Sequence, residues 1–385
     1  MARLRGLLSG RGLLLLVALL TLALIFSGCI PGGTRPLGWS GVAVAGENLY
    51  FGSSDGKLVA LSAANGNPRW QVSLAGDSGG GGLSCAAGAS SVGIYGLPLV
   101  EGELVYVSGY NGKIYAINAD SGNLRWQYPR EGEAGLKPIA GGVALSGENI
   151  YFGSFDGNVY ALNAATGDLE WQFATGNRVW ATPVISDGRI YIGSFDDMFY
   201  ALDAASGSQL WAFDTEAAVA STAQVVDGTV FFGSLDRTFY ALNASDGSLK
   251  WKYPTGDAGS NGPQGWFWAK PLVYDGAIYA PNLDGKVYVL DTASGQKLDE
   301  YDLGSAAAAA PVLVGNLIVV ASDEGKVYVI DGESQDIRLL TDLNVKLVSP
   351  ITAGEGIVYV HTQENETVYA LDPEARVIIW SHPVE

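Results

Sequence analysis

Few residues in this chain have the side chains that catalysis or metal binding usually requires. The sequence contains two cysteines, Cys29 and Cys85, and two histidines, His361 and His382. Two histidines are too few for a zinc site built from imidazoles with hydrogen-bonding partners behind them. His361 occupies the place that Gly153 has in an earlier copy of a repeated segment, so we interpret it as a structural strand residue. The sequence therefore predicts no catalytic residue and no metal site.

The acidic residues that recur before glycine are the other candidates for chemistry. Ca²⁺ takes about six to eight oxygen ligands, whereas each of these turns, such as the one at Asp156, offers one carboxylate. Asp-Gly and Asn-Gly are also the usual residues of tight hairpin turns. The glycine-rich stretch 76–82 has no following Lys-Ser or Lys-Thr and does not match a phosphate-binding loop. We interpret the acidic residues as turn residues.

These turns belong to a segment that recurs along most of the chain. ENLYFGSSDG (47–56) returns as ENIYFGSFDG (148–157), and then in modified form from Arg189 and from Thr229. One turn residue marks each copy, at Asp55, Asn111, Asp156, Asp196, Asp236, Asp284, Glu324 and Glu364. Asp156, Asp196 and Asp236 are 40 residues apart, the period of a four-stranded propeller blade. The sequence predicts an all-β fold: an eight-bladed β-propeller of four-stranded antiparallel blades.

The strands of each unit are apolar at successive positions, as expected where both faces are buried by neighbouring blades. The first blade has its own first strand near 39–45, and the eighth has its own last strand near 377–383. We therefore expect the ring to close without an exchanged strand.

A tryptophan ends most units at a fixed distance from the preceding turn. ALNAATGDLEW (161–171) and ALDAASGSQLW (201–211) share the spacing Ala-x-Asn/Asp-x₃-Gly-x₃-Trp. This spacing resembles the tryptophan-docking motif of the quinoprotein (PQQ-type) propeller family, and the resemblance covers residues 39–385. It implies a blade-docking role for Trp70, Trp126, Trp171, Trp211, Trp251 and Trp380. Asp299 and Leu339 replace the tryptophan in blades six and seven, so we expect these blades to be the least tightly docked.

The resemblance also raises the question of enzymatic activity. Quinoprotein dehydrogenases of this family stack two adjacent cysteines on pyrroloquinoline quinone (PQQ) and place Ca²⁺ ligands beside a catalytic Asp. Cys29 and Cys85 are not adjacent, and Cys85 has no assigned role. We therefore expect no cofactor and no enzymatic activity. The alternative is a propeller that binds a small ligand or PQQ at its channel mouth, with dehydrogenase-like redox activity.

The N-terminal residues form a separate segment. A basic start with Arg3, Arg5 and Arg11 precedes the apolar run 13–26, which is too short to span a bilayer comfortably. FSGC (26–29) resembles the bacterial lipobox. We expect a lipoprotein signal peptide at 1–28, a tether lipidated on Cys29 at 29–38, and the propeller at 39–385. An ordinary cleaved signal and an uncleaved anchor remain alternatives.

The partners follow from charge and from the resemblance. A formal net charge of −18 argues against nucleic-acid binding, which needs clustered Lys and Arg. Lipoprotein members of the family that act in outer-membrane β-barrel assembly are similar to this chain in lipobox, size and blade number. The similarity implies a monomeric, extracytoplasmic scaffold that binds other envelope proteins and reaches the membrane through its lipid anchor.

The candidate binding face lies where the insertions converge. Three links between blades, 75–91, 129–137 and 255–267, contain insertions that make their repeats longer than 40 residues. Counting three residues back from the proline, or its equivalent, of each innermost strand gives Trp39, Tyr95, Gly135, Trp180, Ala220, Trp268, Ala308 and Leu347. Lys137 and Lys270 add two cations beside the matching prolines. We expect this face to bind partners; the alternative is that the tryptophans plug the channel as core.

The lipid anchor is directly testable. We expect the mature protein from its host membrane to begin at Cys29 and to carry acyl groups there, and Cys29→Ser to abolish this mass increment. Intact-mass analysis distinguishes the cases, because an unmodified N-terminus at any other residue would contradict the anchor.

Overall fold

The computed structural model describes residues 38–74, 92–255 and 262–384, and every regular element in these ranges is a β-strand. The strands form eight sheets of four antiparallel strands each. This architecture confirms the eight-bladed, all-β propeller that the sequence predicts. The signal segment 1–28, the tether up to residue 37 and both cysteines lie outside the described residues.

Blades one to four contain the first sixteen strands. Blade one consists of β1 (Ala43–Ala45), β2 (Asn48–Gly52), β3 (Lys57–Ser62) and β4 (Pro68–Ser73). Blade two consists of β5 (Leu99–Glu101), β6 (Leu104–Gly109), β7 (Lys113–Asn118) and β8 (Leu124–Tyr128). Blade three consists of β9 (Ala144–Ser146), β10 (Asn149–Gly153), β11 (Asn158–Asn163) and β12 (Leu169–Ala174). Blade four consists of β13 (Val184–Ser186), β14 (Arg189–Gly193), β15 (Met198–Asp203) and β16 (Gln209–Asp214).

Blades five to eight contain the other sixteen. Blade five consists of β17 (Gln224–Val226), β18 (Thr229–Gly233), β19 (Phe239–Asn243) and β20 (Leu249–Tyr253). Blade six consists of β21 (Leu272–Tyr274), β22 (Ala277–Pro281), β23 (Lys286–Asp291) and β24 (Lys297–Asp302). Blade seven consists of β25 (Val312–Val314), β26 (Leu317–Ala321), β27 (Lys326–Asp331) and β28 (Ile337–Asp342). Blade eight consists of β29 (Thr352–Gly354), β30 (Ile357–Thr362), β31 (Thr367–Asp372) and β32 (Val377–Pro383).

Each blade is a meander of four consecutive strands paired in sequence order. The innermost strand of blade one, β1, contacts β5 of blade two and β29 of blade eight. In the described ranges no strand is exchanged between sheets, so the ring closes as expected from the sequence.

The two middle strands of each blade carry the core. Tyr151 and Phe152 in β10 are 2% and 0% exposed, although they point to opposite faces. Phe199 of blade four stacks on Phe232 of blade five with ring centroids 4.0 Å apart. Both faces of a blade are therefore buried against its neighbours, which explains the continuous apolar runs.

The Asp-Gly pairs between first and second strands form the expected hairpin turns. Asp187 and Gly188 have φ angles of 50° and 70°. Two successive positive φ angles define the type I′ turn, whose twist matches that of the flanking strands.

Six blades carry a tryptophan on the outer strand that joins the blade to the next one. In every case the indole N–H donates a hydrogen bond to a backbone carbonyl just after the third strand of the next blade. The pairs are Trp70–Ala119, Trp126–Ala164, Trp171–Ala204, Trp211–Ala244, Trp251–Thr292 and Trp380–Ala63, with distances between 2.8 and 3.1 Å. The last pair joins blade eight to blade one.

The glycine of the same turn makes room for the indole. Gly207 has a φ of 69°, and a Cβ added there would lie 2.6 Å from the ring of Trp171. Gly247 has the same relation to Trp211. The glycine in the sequence motif thus receives the tryptophan of the preceding blade, while the tryptophan of the motif docks onto the following blade.

In blade six a tyrosine supplies the docking hydrogen bond, which the tryptophan spacing of the sequence did not predict. Asp299 stands at the tryptophan place, opposite Val289. Tyr301 lies two residues further on the same face of the strand, and its hydroxyl donates to the backbone carbonyl of Gln335 at 2.9 Å. An aromatic donor therefore still joins blade six to blade seven.

The prediction that Leu339 takes the tryptophan place in blade seven is wrong. The bulge of this blade lies between Val327 and Tyr328, so Arg338, not Leu339, pairs with Val329 at the docking place. Leu339 is 50% exposed. Among the described junctions, only the one between blades seven and eight lacks an aromatic docking donor. Weak docking of blade seven stays a prediction.

Polar contacts also hold blade eight to blade one. Thr352 Oγ1 donates to the carbonyl of Val42 at 2.5 Å. His361 is 1% exposed, and its Nδ1–H donates to the carbonyl of Ser40 at 2.9 Å. Burial lowers the pKa of His361, so the imidazole stays neutral. His361 is a structural residue of the ring closure.

Truncation of a docking tryptophan should destabilise the whole ring. Trp211 is 8% exposed, and we expect Trp211→Ala to lower the free energy of unfolding by about 3–5 kcal/mol through loss of the buried indole. The neighbouring Leu210 is 46% exposed, and Leu210→Ala should change it by less than about 0.5 kcal/mol. Denaturant unfolding measures both variants; equal effects would show that docking does not hold the ring.

Candidate binding face at the channel mouth

The links between blades and the turns after the second strands lie at the same end of the propeller. The amide of Thr175, in the link after blade three, donates to the carbonyl of Gly157 in the second turn of that blade at 2.7 Å. Leu74 and Gly56 make the equivalent contact in blade one at 3.1 Å. We call this end the linker face.

The described parts of the second and third insertions lie on the linker face. In the insertion 129–137, the amide of Leu136 donates to the carbonyl of Gly112 at 2.9 Å. In the insertion 255–267, the amide of Gln264 donates to Asp284 at 2.9 Å. Residues 75–91 and 256–261 lie outside the described residues.

The acidic turn residues orient the turns of the linker face. Asp196 accepts hydrogen bonds from the amide of Met198 at 3.1 Å and from the hydroxyl of Tyr200 at 2.8 Å. Burial, followed by the hydrogen bond to Asp196, raises the pKa of Tyr200, which keeps the phenol protonated as a donor. Blades three, five and six have the same Tyr–Asp pair. The acidic residues are therefore occupied as turn residues.

The predicted marker position Glu364 in blade eight is wrong. Its turn is one residue longer, between Thr362 and Thr367, and Asn365 rather than Glu364 takes the marker place. The Asn365 amide donates to Tyr369 at 3.3 Å, as Asn111 donates to Tyr115 in blade two.

Residues that lie four positions before the start of each innermost strand surround the channel mouth. Strand pairing and the cavity lining give the eight equivalent positions as Trp39, Tyr95, Ala140, Trp180, Ala220, Trp268, Ala308 and Val348. Six of these residues are those expected from the sequence. All three tryptophans and Tyr95 are partly exposed.

Two of the expected mouth positions are wrong. In blade three, the carbonyl of Pro138 takes the place that Arg178 has in blade four, because both accept from the second turn. Pro138 is thus not equivalent to the proline of the other blades, and Ala140 rather than Gly135 lies at the mouth. In blade eight, Leu347 is fully buried and Val348 lines the channel.

The same misalignment applies to Lys137. It is exposed, but it lies outside the channel wall, so it does not pair with Lys270 as the sequence suggested. Lys270 does line the channel.

Seven aromatic side chains form a continuous cluster on the linker face, which we call the aromatic cluster. Its members are Trp39, Tyr95, Tyr110, Phe155, Trp180, Phe195 and Trp268, all partly exposed. Successive ring centroids lie 4.4 Å (Trp39–Tyr95), 5.0 Å (Tyr95–Tyr110), 5.9 Å (Tyr110–Phe155), 5.2 Å (Phe155–Trp180), 6.4 Å (Trp180–Phe195) and 5.4 Å (Trp180–Trp268) apart. Burial raises the pKa of Tyr95 to about 12.

Sequence reasoning missed three members of this cluster: Tyr110, Phe155 and Phe195. Each directly precedes the marker residue of its turn. The aromatic residue at the second position of the recurring Ser-Phe-Asp-Gly motif could therefore have indicated these cluster members from the sequence. The guanidinium of Arg178 lies 4.5 Å from the ring centroid of Phe195 and 5.8 Å from that of Phe155. A cation over an aromatic face is attracted by the ring quadrupole.

The channel behind the mouth is a cavity of about 630 Å³, lined by residues from all eight blades. Of the described residues that line it, Lys270 alone is charged. Lys270 is exposed to the channel, yet the surrounding wall residues lower its pKa by desolvation. In the described ranges, no three Asp, Glu, His or Cys side chains come close enough to share a metal ion. Those ranges also contain no helix with the length and apolarity needed to cross a membrane.

Comparison with solved structures places the fold among known propellers. BamB from Moraxella catarrhalis is similar, with 19% sequence identity and a TM-score of 0.67 over 84% of this chain and 91% of that chain. The computationally designed protein Ika8 is similar as well, with 17% identity and a TM-score of 0.69 over 88% of this chain and 96% of that chain. At such identities the likeness concerns the fold. No curated protein matches the chain.

The family comparison is more specific. The model described as outer membrane protein assembly factor BamB matches residues 34–178, 111–213, 155–311 and 305–385. These overlapping matches follow the blades through the propeller and cover well over half of the sequence. The chain therefore belongs to the BamB family of PQQ-like repeat propellers.

Proposed function

We propose that this protein is a non-enzymatic scaffold of the cell envelope that uses the aromatic cluster to bind another envelope protein during outer-membrane protein assembly. The observation that carries the proposal is the cluster itself, in which contacting aromatic rings stay partly exposed on one face. Aromatic residues and arginine dominate the binding energy of protein interfaces. Membership of the BamB family supports the assembly role.

The distribution of the rings favours a docking surface over a channel plug. The aromatic positions of the mouth belong to blades one, two, four and six, whereas small side chains stand at blades three, five, seven and eight, namely Ala140, Ala220, Ala308 and Val348. A plug would be packed from all sides, whereas this cluster leaves the mouth at the adjacent blades seven and eight lined by small side chains. Arg178 adds a cation to the cluster in a chain whose net charge is −18.

The proposed lipid anchor would bring this face close to a membrane. Gly38, the first described residue, precedes Trp39 of the cluster. Nine residue steps separate Gly38 from Cys29, and an extended chain spans at most about 3.5 Å per residue. Lipidation of Cys29 would therefore hold the acyl chains within roughly 30 Å of Gly38. An extracytoplasmic, lipid-anchored location is part of the proposal.

The channel supports a binding role better than dehydrogenase chemistry. Of the described residues that line it, none is Asp, Glu, His or Cys, so the wall offers no carboxylate or imidazole for general acid–base catalysis. The adjacent cysteine pair of the quinoprotein dehydrogenases has no counterpart in the sequence either. We propose that the protein has no enzymatic activity.

The double variant Trp180→Ala/Trp268→Ala tests the docking surface. Both indoles are partly exposed, so we expect the free energy of unfolding to fall by no more than about 1–2 kcal/mol. We expect the amount of partner that co-purifies from solubilised host membranes, measured by quantitative mass spectrometry, to fall at least about tenfold.

The matched control is Leu210→Ala/Leu249→Ala, which truncates two outer-strand side chains that are each 46% exposed. This control should keep its partners. If the tryptophan variant is strongly destabilised and still captures the same proteins, the indoles are core residues and the linker face is not the binding site.

A further inference from the structure

The channel wall has a polar group that the scaffold role does not use. Lys270 lies two residues beyond Trp268 and two before β21 in blade six, and Thr222 lies two residues beyond Ala220 and two before β17 in blade five. Gln224 follows Thr222 by two further residues in β17. All three side chains line the cavity. The innermost strands β17 and β21 are in contact, so these groups come from neighbouring blades.

Lys270 has no acidic partner among the described residues. None of the ion pairs within 4.0 Å includes it, and no carboxylate lines the cavity in the described part of the chain. Its neighbours on the wall include Ala269, Pro271 and Leu272. These surroundings lower the pKa of Lys270, because desolvation disfavours the charged ammonium. An anion placed beside it would restore favourable interactions for that charge.

Two indoles lie next to this polar group, towards the linker face. Trp180 and Trp268 meet edge to face with ring centroids 5.4 Å apart, although blade five lies between their blades. They can meet because blade five has Ala220 at that position. Trp180 and Trp268 line the same cavity as Lys270 and Thr222.

We propose that the channel is a binding site for a small organic carboxylate, whose carboxylate contacts Lys270, Thr222 and Gln224 and whose apolar part contacts Trp180 and Trp268. Ammonium, hydroxyl and amide groups are all donors to a carboxylate, and hydrogen bonds to a charged acceptor are the strong ones. The cavity of about 630 Å³ has the size of small-molecule sites, which combine apolar walls with a few convergent polar groups.

The acidic net charge of the protein does not prevent anion binding here. Exposed charges are screened over about 8 Å at physiological ionic strength. The charge that a carboxylate would meet within the described channel wall is that of Lys270. The site shares Trp180 and Trp268 with the aromatic cluster, whereas its polar groups, Lys270, Thr222 and Gln224, line the channel without belonging to the cluster.

The test uses the full mature chain with benzoate as the probe and benzyl alcohol as its neutral counterpart, in calorimetric titrations at constant ionic strength. We expect saturable 1:1 binding of benzoate to the wild type, weakened at least about tenfold by Lys270→Met because a charge-assisted contact is lost. Gln224→Leu should weaken it by a smaller factor. Benzyl alcohol should bind weakly and equally to the wild type and to Lys270→Met.

Lys137→Met is the matched control, because Lys137 is an exposed lysine outside the channel wall. It should leave benzoate affinity unchanged. The proposal is overturned if the wild type shows no saturable benzoate binding, or if Lys270→Met binds benzoate as well as the wild type does. Equal losses in both lysine variants would overturn it too, because they would reflect net charge rather than a site. Loss of partner capture in the tryptophan variant would bear only on the scaffold role.

Discussion

The fold depends on one repeated interaction, the docking of an outer-strand aromatic ring onto the next blade. A single four-stranded blade cannot bury its two apolar faces, so each blade needs a neighbour on both sides. The tryptophan fixes the orientation and spacing of the next blade, because its N–H must reach one carbonyl of that blade while its ring covers one glycine. Seven of the eight junctions in the described ranges have such a contact, including the closing one of Trp380 on Ala63, and it fixes how these blades follow one another.

Because the outer and middle strands hold the ring together, the innermost strands are free to vary. Their core-facing residues are buried, as Val179 and Val219 are, whereas their channel-facing residues range from tryptophan to alanine and lysine. This variation makes the mouth asymmetric, with aromatic residues at blades one, two, four and six and small side chains at the adjacent blades seven and eight. The repeated blades thus form a ring whose mouth differs from blade to blade. Among the described residues that line the channel, Lys270 alone is charged. Both proposals rest on this departure from the repeat.

The sequence predicted what is repeated and failed where a copy is shifted. Blade number, strand order, the Asp-Gly turns and the fold class follow from the period, because each copy obeys the same packing rule. Ala140 and Val348 were missed because proline was used as the landmark, whereas the pairing of the short first strand sets the register. Tyr301 was missed because a different side chain on the same face can supply the docking donor. Phe195 was not recognised because its contact with Trp180 joins two parts of the chain that only the turn geometry brings together.

Photo-crosslinking in living host cells shows whether the aromatic cluster is the docking surface. A photoreactive benzoyl-phenylalanine would replace Phe195 on the linker face or, as the control, Asp227, which is exposed in the hairpin turn at the opposite end of blade five. We expect a discrete adduct with another envelope protein from position 195 and none from position 227. Adducts from position 227 alone, or the same adducts from both positions, would contradict it.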